Sequence, residues 1–376
     1  MPRARQKAAG SIPAAAAAGQ AAASRSSVDA TTYDWARSAA ISKESRLGPQ
    51  LSYEAKLMQG FVRAGRQGNL PLERLSVNDA RLLSQADLSP ADMHFVHKGI
   101  MSSGLESPDF ESQLTGDEAR VFGRIKSGGS SIYDLDVGPG SLFDRFIAQS
   151  EGVEGESGEP GKIWVAWEDA ADDAGNPYKR KLYEAYNDQF GNPTAGHGVL
   201  VTKDLMRLNK NKTPGAENDR SKAVFYAEDI DRVQQERVEN ARKDVKQAFP
   251  LADFLGDARQ AVLMDMGYTM GLAKLLEFKK LKEYAADGDF WSAGLEIIRA
   301  KRSNQTGARS LLNALIFCTN GDPSLTGDKV LEDFKRDLTA AYEEQKRTDK
   351  SKTYVEVMEE MYRQKARELG YGPKTE

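Results

Sequence analysis

Between Lys162 and Val201 the chain changes its hydrophobic period. Apolar residues alternate from Lys162 to Trp167 and again from Tyr178 to Tyr186, with the turn cluster Asp172-Asp173-Ala174-Gly175-Asn176-Pro177 between them. Two-residue alternation interrupted by Gly, Asn and Pro is the pattern of a β-hairpin. A second strand–turn–strand pattern follows: Tyr186 to Phe190, a turn at Gly191-Asn192-Pro193, then Thr194 to Val201. From Ala227 onward the period is helical, in stretches Asp229 to Phe249, Leu255 to Met270, Leu275 to Ala286, Phe290 to Lys301 and Gly307 to Cys318. Gly271, Gly288 and Ser303-Asn304-Gln305-Thr306-Gly307 separate them. A short run of strands set among helices predicts an α+β, mainly α-helical fold, with a small β-hairpin lobe and a helical lobe.

The rest of the chain divides around that block. Residues 1–30 are Ala-rich and low in complexity, with Arg3, Arg5, Lys7 and Arg25 as their charges. They lack the Leu-rich centre of an export signal, so a disordered tail is expected. Residues 31–139 read as a helical N-terminal module. Tyr53, Leu57, Phe61 and Val62 recur at helical spacing, Ser89-Pro90-Ala91-Asp92 starts a helix, and Gly116-Asp117-Glu118 starts another. His94 and His97 have no further ligand in a clear pattern and read as half-buried or surface residues. Gly138-Pro139-Gly140 is the strongest breaker, followed by Ser141 as N-cap with Asp144 three positions on. Leu142, Phe143, Phe146 and Ile147 form the apolar stripe of the helix that Glu151-Gly152 ends. Residues 322–376 form a helical C-terminal extension, Val330 to Arg347 and Tyr354 to Leu369, expected to pack on the same chain.

Composition narrows the chemistry. One cysteine, Cys318, excludes an internal disulfide and a thiolate metal site, and three histidines argue against a histidine-rich metalloenzyme. A net charge of −4 gives no global attraction to nucleic acid. No apolar run is long enough for a membrane-spanning helix. No cofactor, metal, nucleic acid or membrane span is therefore expected, and carboxylates and hydroxyls are left to carry any reaction.

Asp188 stands just before the second turn and Thr194 just after it, an arrangement that can aim a carboxylate and a hydroxyl at one cleft. Glu151 can face them from the preceding helix. Two carboxyls across a cleft are what glycoside hydrolysis requires. Asp and Thr also serve turns through local hydrogen bonds, so spacing alone leaves both uses open.

The residues Glu151-Gly152, then Ala185-Tyr186-x-Asp188-x-x-Gly191-x-x-Thr194-x-Gly196-x-Gly198, resemble the phage-type lysozymes of glycoside hydrolase family 24. Asp257-Ala258-Arg259 leading to Met266-Gly267-Tyr268-Thr269-Met270-Gly271, and Ser303-Asn304-Gln305-Thr306-Gly307-Ala308-Arg309, are similar as well. The resemblance covers residues 140–321, with an insertion at about 154–180. It implies a lysozyme-like domain that cleaves the β-1,4 bond between N-acetylmuramic acid and N-acetylglucosamine in peptidoglycan. Glu151 matches the general acid, Asp188 the carboxylate that activates or positions water, and Thr194 the hydroxyl that holds that water. Arg309 matches an arginine closing behind the acid, and Leu200 and Tyr268 fall where the family lines its sugar cleft.

Three departures qualify the match. The family keeps its Glu and Asp close in sequence, whereas Gly152 to Asn187 intervene here, which also leaves Glu154 and Glu156 as alternative acids. Val199 replaces a histidine, with His197 two residues earlier, and Thr269 replaces an amide residue. The long flanking regions suit a phage virion component (tail, baseplate or internal ejection protein) that acts on the wall in the host periplasm, with other virion proteins as partners. The alternatives are a holin-dependent endolysin, held in the host cytoplasm until lysis, and a structural virion protein with an inactive lysozyme fold.

Overall fold

The structure, a computed structural model, describes residues 52–68, 77–103, 111–138, 140–151, 153–155, 162–187, 191–211, 213–214, 218–300, 306–327, 329–348 and 351–373. The tail expected at 1–30, Asp188, Glu156 and residues 303–305 lie outside them. The fold is α+β and mainly helical. It divides into two compact units: one takes in Met1–Ser131, Asp253–Leu255 and Ala285–Gly288, the other the remainder.

The first unit holds helices α1 (Tyr53–Gly68), α2 (Val77–Gln85), α3 (Pro90–Ser103) and α4 (Gly116–Lys126). Their apolar stripes close a core of Val62, Leu83, Val96, Ile100, Phe122 and Ile125. Helix α3 begins where Ser89-Pro90 places it, because Ser89 and Asp92 cap one another, each backbone N–H donating to the other's side chain at 3.2 Å. His94 and His97 both pack against Phe254, with ring centroids 5.4 and 6.0 Å away.

In the second unit, α5 (Leu142–Glu151) starts at Ser141, whose Oγ accepts the Asp144 N–H at 3.1 Å. The Asp144 carboxylate reaches one residue further back than a regular capping box and accepts the Gly140 N–H at 2.8 Å. Helices α6 (Ala227–Ala248), α7 (Asp257–Leu275), α8 (Lys279–Ala286, of which Ala285 and Ala286 belong to the first unit), α9 (Phe290–Arg299) and α10 (Ala308–Thr319) follow. Every residue of α7 from Gln260 to Tyr268 is buried, and α5, α6 and α10 all pack against this helix. The break expected at Gly271 is present as a backbone φ of 72°. The chain resumes its turn at once, so α7 runs on to Leu275.

Among the described residues, seven strands lie between α5 and α6. Strands β1 (Val153–Gly155), β2 (Lys162–Ala171), β3 (Pro177–Glu184) and β7 (Val224–Tyr226) form one sheet in the order β1-β2-β3-β7, with β1 parallel to β2. The β2–β3 hairpin stands where alternation predicts it, in a register that pairs Val165 with Tyr183 and Ala171 with Pro177. Strands β4 (Tyr186–Asn187), β5 (Pro193–Ala195) and β6 (Val199–Leu200) form a second, antiparallel sheet. The sequence leads one to expect a single strand from Thr194 to Val201. The structure folds that stretch back on itself, because Gly196 and Gly198 take φ values of 55° and 76° that few other residues adopt. Pairing of β1 with β2 and of β7 with β3 was not anticipated, since both strands are too short for alternation to show.

Helices α11 (Val330–Thr348) and α12 (Tyr354–Glu368) pack against α10, and α12 also against α9. The Tyr362 hydroxyl is buried and donates to the Trp291 carbonyl at 2.9 Å. Glu359 accepts hydrogen bonds from Arg299 on both oxygens, at 2.8 and 3.0 Å. These bonds hold its carboxyl below the ordinary value of 4.5. A carboxyl whose folded-state pKa is depressed contributes stability at higher pH and loses it as pH falls through the folded value. The docking of α12 should therefore weaken as pH drops from about 5 towards 3. Thermal melts across that range should show the loss, and Glu359→Gln should flatten it.

Candidate functional site

The small β4-β5-β6 sheet positions the hydroxyl singled out in the sequence. Thr194 sits in the central strand, opposite Tyr186 on one side and Leu200 on the other. It is 3% exposed, and its Oγ1 donates to the Asn192 carbonyl at 3.0 Å. The hydroxyl proton is thus committed to the backbone, and the oxygen lone pairs remain as acceptors. Leu200, directly across the ladder, is 45% exposed. Tyr186 donates its hydroxyl to the Gly196 carbonyl at 3.0 Å, and its ring meets Trp164 of β2 at 6.4 Å.

The turn joining β5 to β6, Gly196-His197-Gly198, is held by the helices. The Tyr268 hydroxyl of α7 donates to the His197 carbonyl at 3.3 Å, and Arg237 of α6 donates to the Gly198 carbonyl at 2.7 Å. The Arg237 guanidinium also lies over the Tyr268 ring, 4.6 Å from its centroid. Gly196 leaves no room for a side chain: a Cβ there would stand 2.6 Å from the Ile230 methyl. Tyr268 also meets Phe143 of α5 edge to face, with centroids 5.9 Å apart. One ring therefore joins the helix that ends on Glu151 to the turn beside Thr194. At 7% exposure, Tyr268 is a buried part of that wall.

Three residues before Tyr268 on α7, Asp265 points to a different neighbour. Arg309, near the start of α10, donates to both Asp265 oxygens, one of them through Nε at 3.2 Å, and Asn313 donates to the same carboxylate at 2.7 Å. Asp265 is 2% exposed and Arg309 13%. Thr269 turns its hydroxyl back to the Asp265 carbonyl at 2.7 Å. Thr306, Ser310 and Asn313 line a cavity of about 30 Å³ beside the pair, together with Met266 and Ile297.

The structure thus brings Thr194, Leu200 and Tyr268 together around one small sheet and gives Arg309 a partner on the same helix as Tyr268. Glu151 is the last residue of α5. Asp188 follows Asn187, whose cross-strand partner is Pro193, and itself lies outside the described residues. Sequence reasoning missed Asp265, Asn313, Arg237 and Trp164. Asp265 carried a signal, as the only charge between Arg259 and Lys274 in an otherwise apolar or small-polar run. The other three carried none.

In comparison with known proteins, no family model matches this chain and no similar curated sequence is found. The chemistry therefore rests on the side chains themselves, and two contacts can be tested directly. Asp265→Asn leaves a buried guanidinium without its counter-charge and should cost about 3–5 kcal/mol in denaturant unfolding. Arg309→Met combined with Asp265→Leu should recover most of that loss, since no charge is then left buried. Gly196→Ala should lower the melting temperature through its positive φ and the clash with Ile230.

Proposed function

We propose that this protein is a peptidoglycan hydrolase, a muramidase that cleaves the β-1,4 bond between N-acetylmuramic acid and N-acetylglucosamine. The reading rests on the resemblance of Glu151, Asp188 and Thr194 to the phage-type lysozymes. The observation that best supports it is the contact chain Phe143–Tyr268–His197, which joins the helix ending on Glu151 to the sheet carrying Thr194.

In this reading Glu151 donates its proton to the glycosidic oxygen as the bond from that oxygen to the anomeric carbon breaks. A water on the opposite face of the sugar attacks the same carbon and passes a proton to Asp188. Thr194, with its own proton committed to Asn192, accepts from that water and orients it. An inverting route of this kind needs the two carboxyls about 6.5–9.5 Å apart. Glu151 must remain protonated near neutral pH and Asp188 ionised, which calls for a drier setting around the first than the second.

We place the enzyme in a phage particle, opening the host wall during infection. The support is the described helical mass outside the sheet and its surrounding helices: α1 to α4 in the first unit and α11 and α12 within the second. Among the described residues no helix is long and apolar enough to cross a membrane.

Purified protein should clear peptidoglycan in a zymogram. Glu151→Gln and Asp188→Asn should each lower that activity by about 10²–10⁴-fold while leaving the circular dichroism spectrum unchanged. Thr194→Ser should retain activity that Thr194→Val loses. An inert wild type would instead favour a structural virion protein. Mass spectrometry of purified particles should detect the chain, whereas an endolysin would be absent from them.

A further inference from the structure

We propose that the β2–β3 hairpin carries a second glycan-binding platform, centred on Trp167, that grips the peptidoglycan strand beyond the cleavage site. The proposal rests on the muramidase reading and extends it to a surface outside the catalytic residues.

Along β2 and β3 alternate residues share a face, and the register places Val165 opposite Tyr183, Trp167 opposite Lys181, and Asp169 opposite Lys179. At its near end this face is core: Ile163 and Tyr183 are buried with Ala195, Val199 and Ile230. Two residues further along, about 7 Å, the core has ended and Trp167 stands 60% exposed on the same face. More than half of the indole surface is therefore open to solvent on the face that carries the core further back.

Its surroundings select the occupant. Lys181 lies across the ladder, its ammonium 4.9 Å from the Tyr183 ring centroid, and the Lys179–Asp169 ion pair at 2.5 Å borders the other side. A pyranose ring offers an apolar C–H face to an indole and hydroxyls at its rim to ammonium and carboxylate groups. Lys181 adds a positive charge that complements the carboxylates on the stem peptides of a peptidoglycan strand, while Lys179 is balanced by Asp169. A protein partner would need roughly 800 Å² on each side. The exposed aromatic on the opposite face, Tyr178, does not extend the patch, because it pairs with Ala170.

The base of the hairpin packs against the candidate site. Tyr183 meets His197 edge to face at 6.4 Å, in the turn between β5 and β6. On the other face of β2, Trp164 meets Tyr186, which is directly opposite Thr194. These contacts anchor the base of the hairpin beside the small sheet that carries Thr194, with Trp167 as the exposed aromatic further along it.

The test uses full-length protein and purified sacculi. Binding is read by co-sedimentation in a Glu151→Gln background with and without Trp167→Ala, and hydrolysis of sacculi is read with Glu151 intact. Trp167→Ala should weaken sedimentation about tenfold and raise KM by a similar factor, with kcat within about twofold of wild type. Trp167→Phe should restore part of the binding, and Tyr178→Ala should behave as wild type. Unchanged sedimentation of Trp167→Ala, or a Glu151→Gln protein that does not sediment with sacculi, overturns the platform. If sedimentation depends on Trp167 but the wild type releases no sugar, the platform stands and the muramidase reading falls.

Discussion

A carboxylate inside a helix buried on every side must have a cation, and that requirement organises the second unit. Asp265 is the charge in question, and Arg309 together with Asn313 answers it. Such a pair adds little net stability over an apolar filling, because desolvation offsets the attraction. It is nonetheless strict about geometry, since a forked guanidinium meets a carboxylate in few orientations. It therefore fixes how α10 approaches α7. Helices α9, α11 and α12 then stack on α10, and the Tyr362–Trp291 and Arg299–Glu359 contacts close that side of the fold.

One helical turn along, α7 performs the second task through Tyr268. Its ring meets Phe143 and its hydroxyl meets the backbone of the turn between β5 and β6, so α5 and the small sheet are positioned by the same residue. This coupling ties the candidate chemistry to the packing: a shift of α7 that disturbs Asp265 also moves the turn beside Thr194. The two glycines of that turn let the backbone come close enough for Tyr268 and Arg237 to reach its carbonyls, and Ile230 fills the space a side chain at Gly196 would need.

The sequence was most legible where local chemistry is sufficient. Alternation with the Asp172–Pro177 turn marked the β2–β3 hairpin, and Ser89-Pro90 and Gly116-Asp117-Glu118 marked the starts of α3 and α4. It was least legible where a distant partner decides. Three residues of β7 become a strand only because β3 offers an edge, and β1 only because β2 lies parallel to it. The stretch from Thr194 to Val201 alternates well enough for one strand, but its glycines bend it into two. Trp164 and Arg237 read as ordinary strand and helix residues until the fold sets them beside Tyr186 and Tyr268.

By itself the sequence determined the fold class, the position of the strands among the helices, and the residue types available for chemistry. Period, caps and turn residues act over a few positions, and composition left carboxylates and hydroxyls as the reactive groups. Only the tertiary structure decided that Thr194 donates to Asn192, that Arg309 serves Asp265, and that Trp167 stands uncovered where the core ends. Each of these depends on which groups lose water together, and that is settled by packing between segments far apart in the chain.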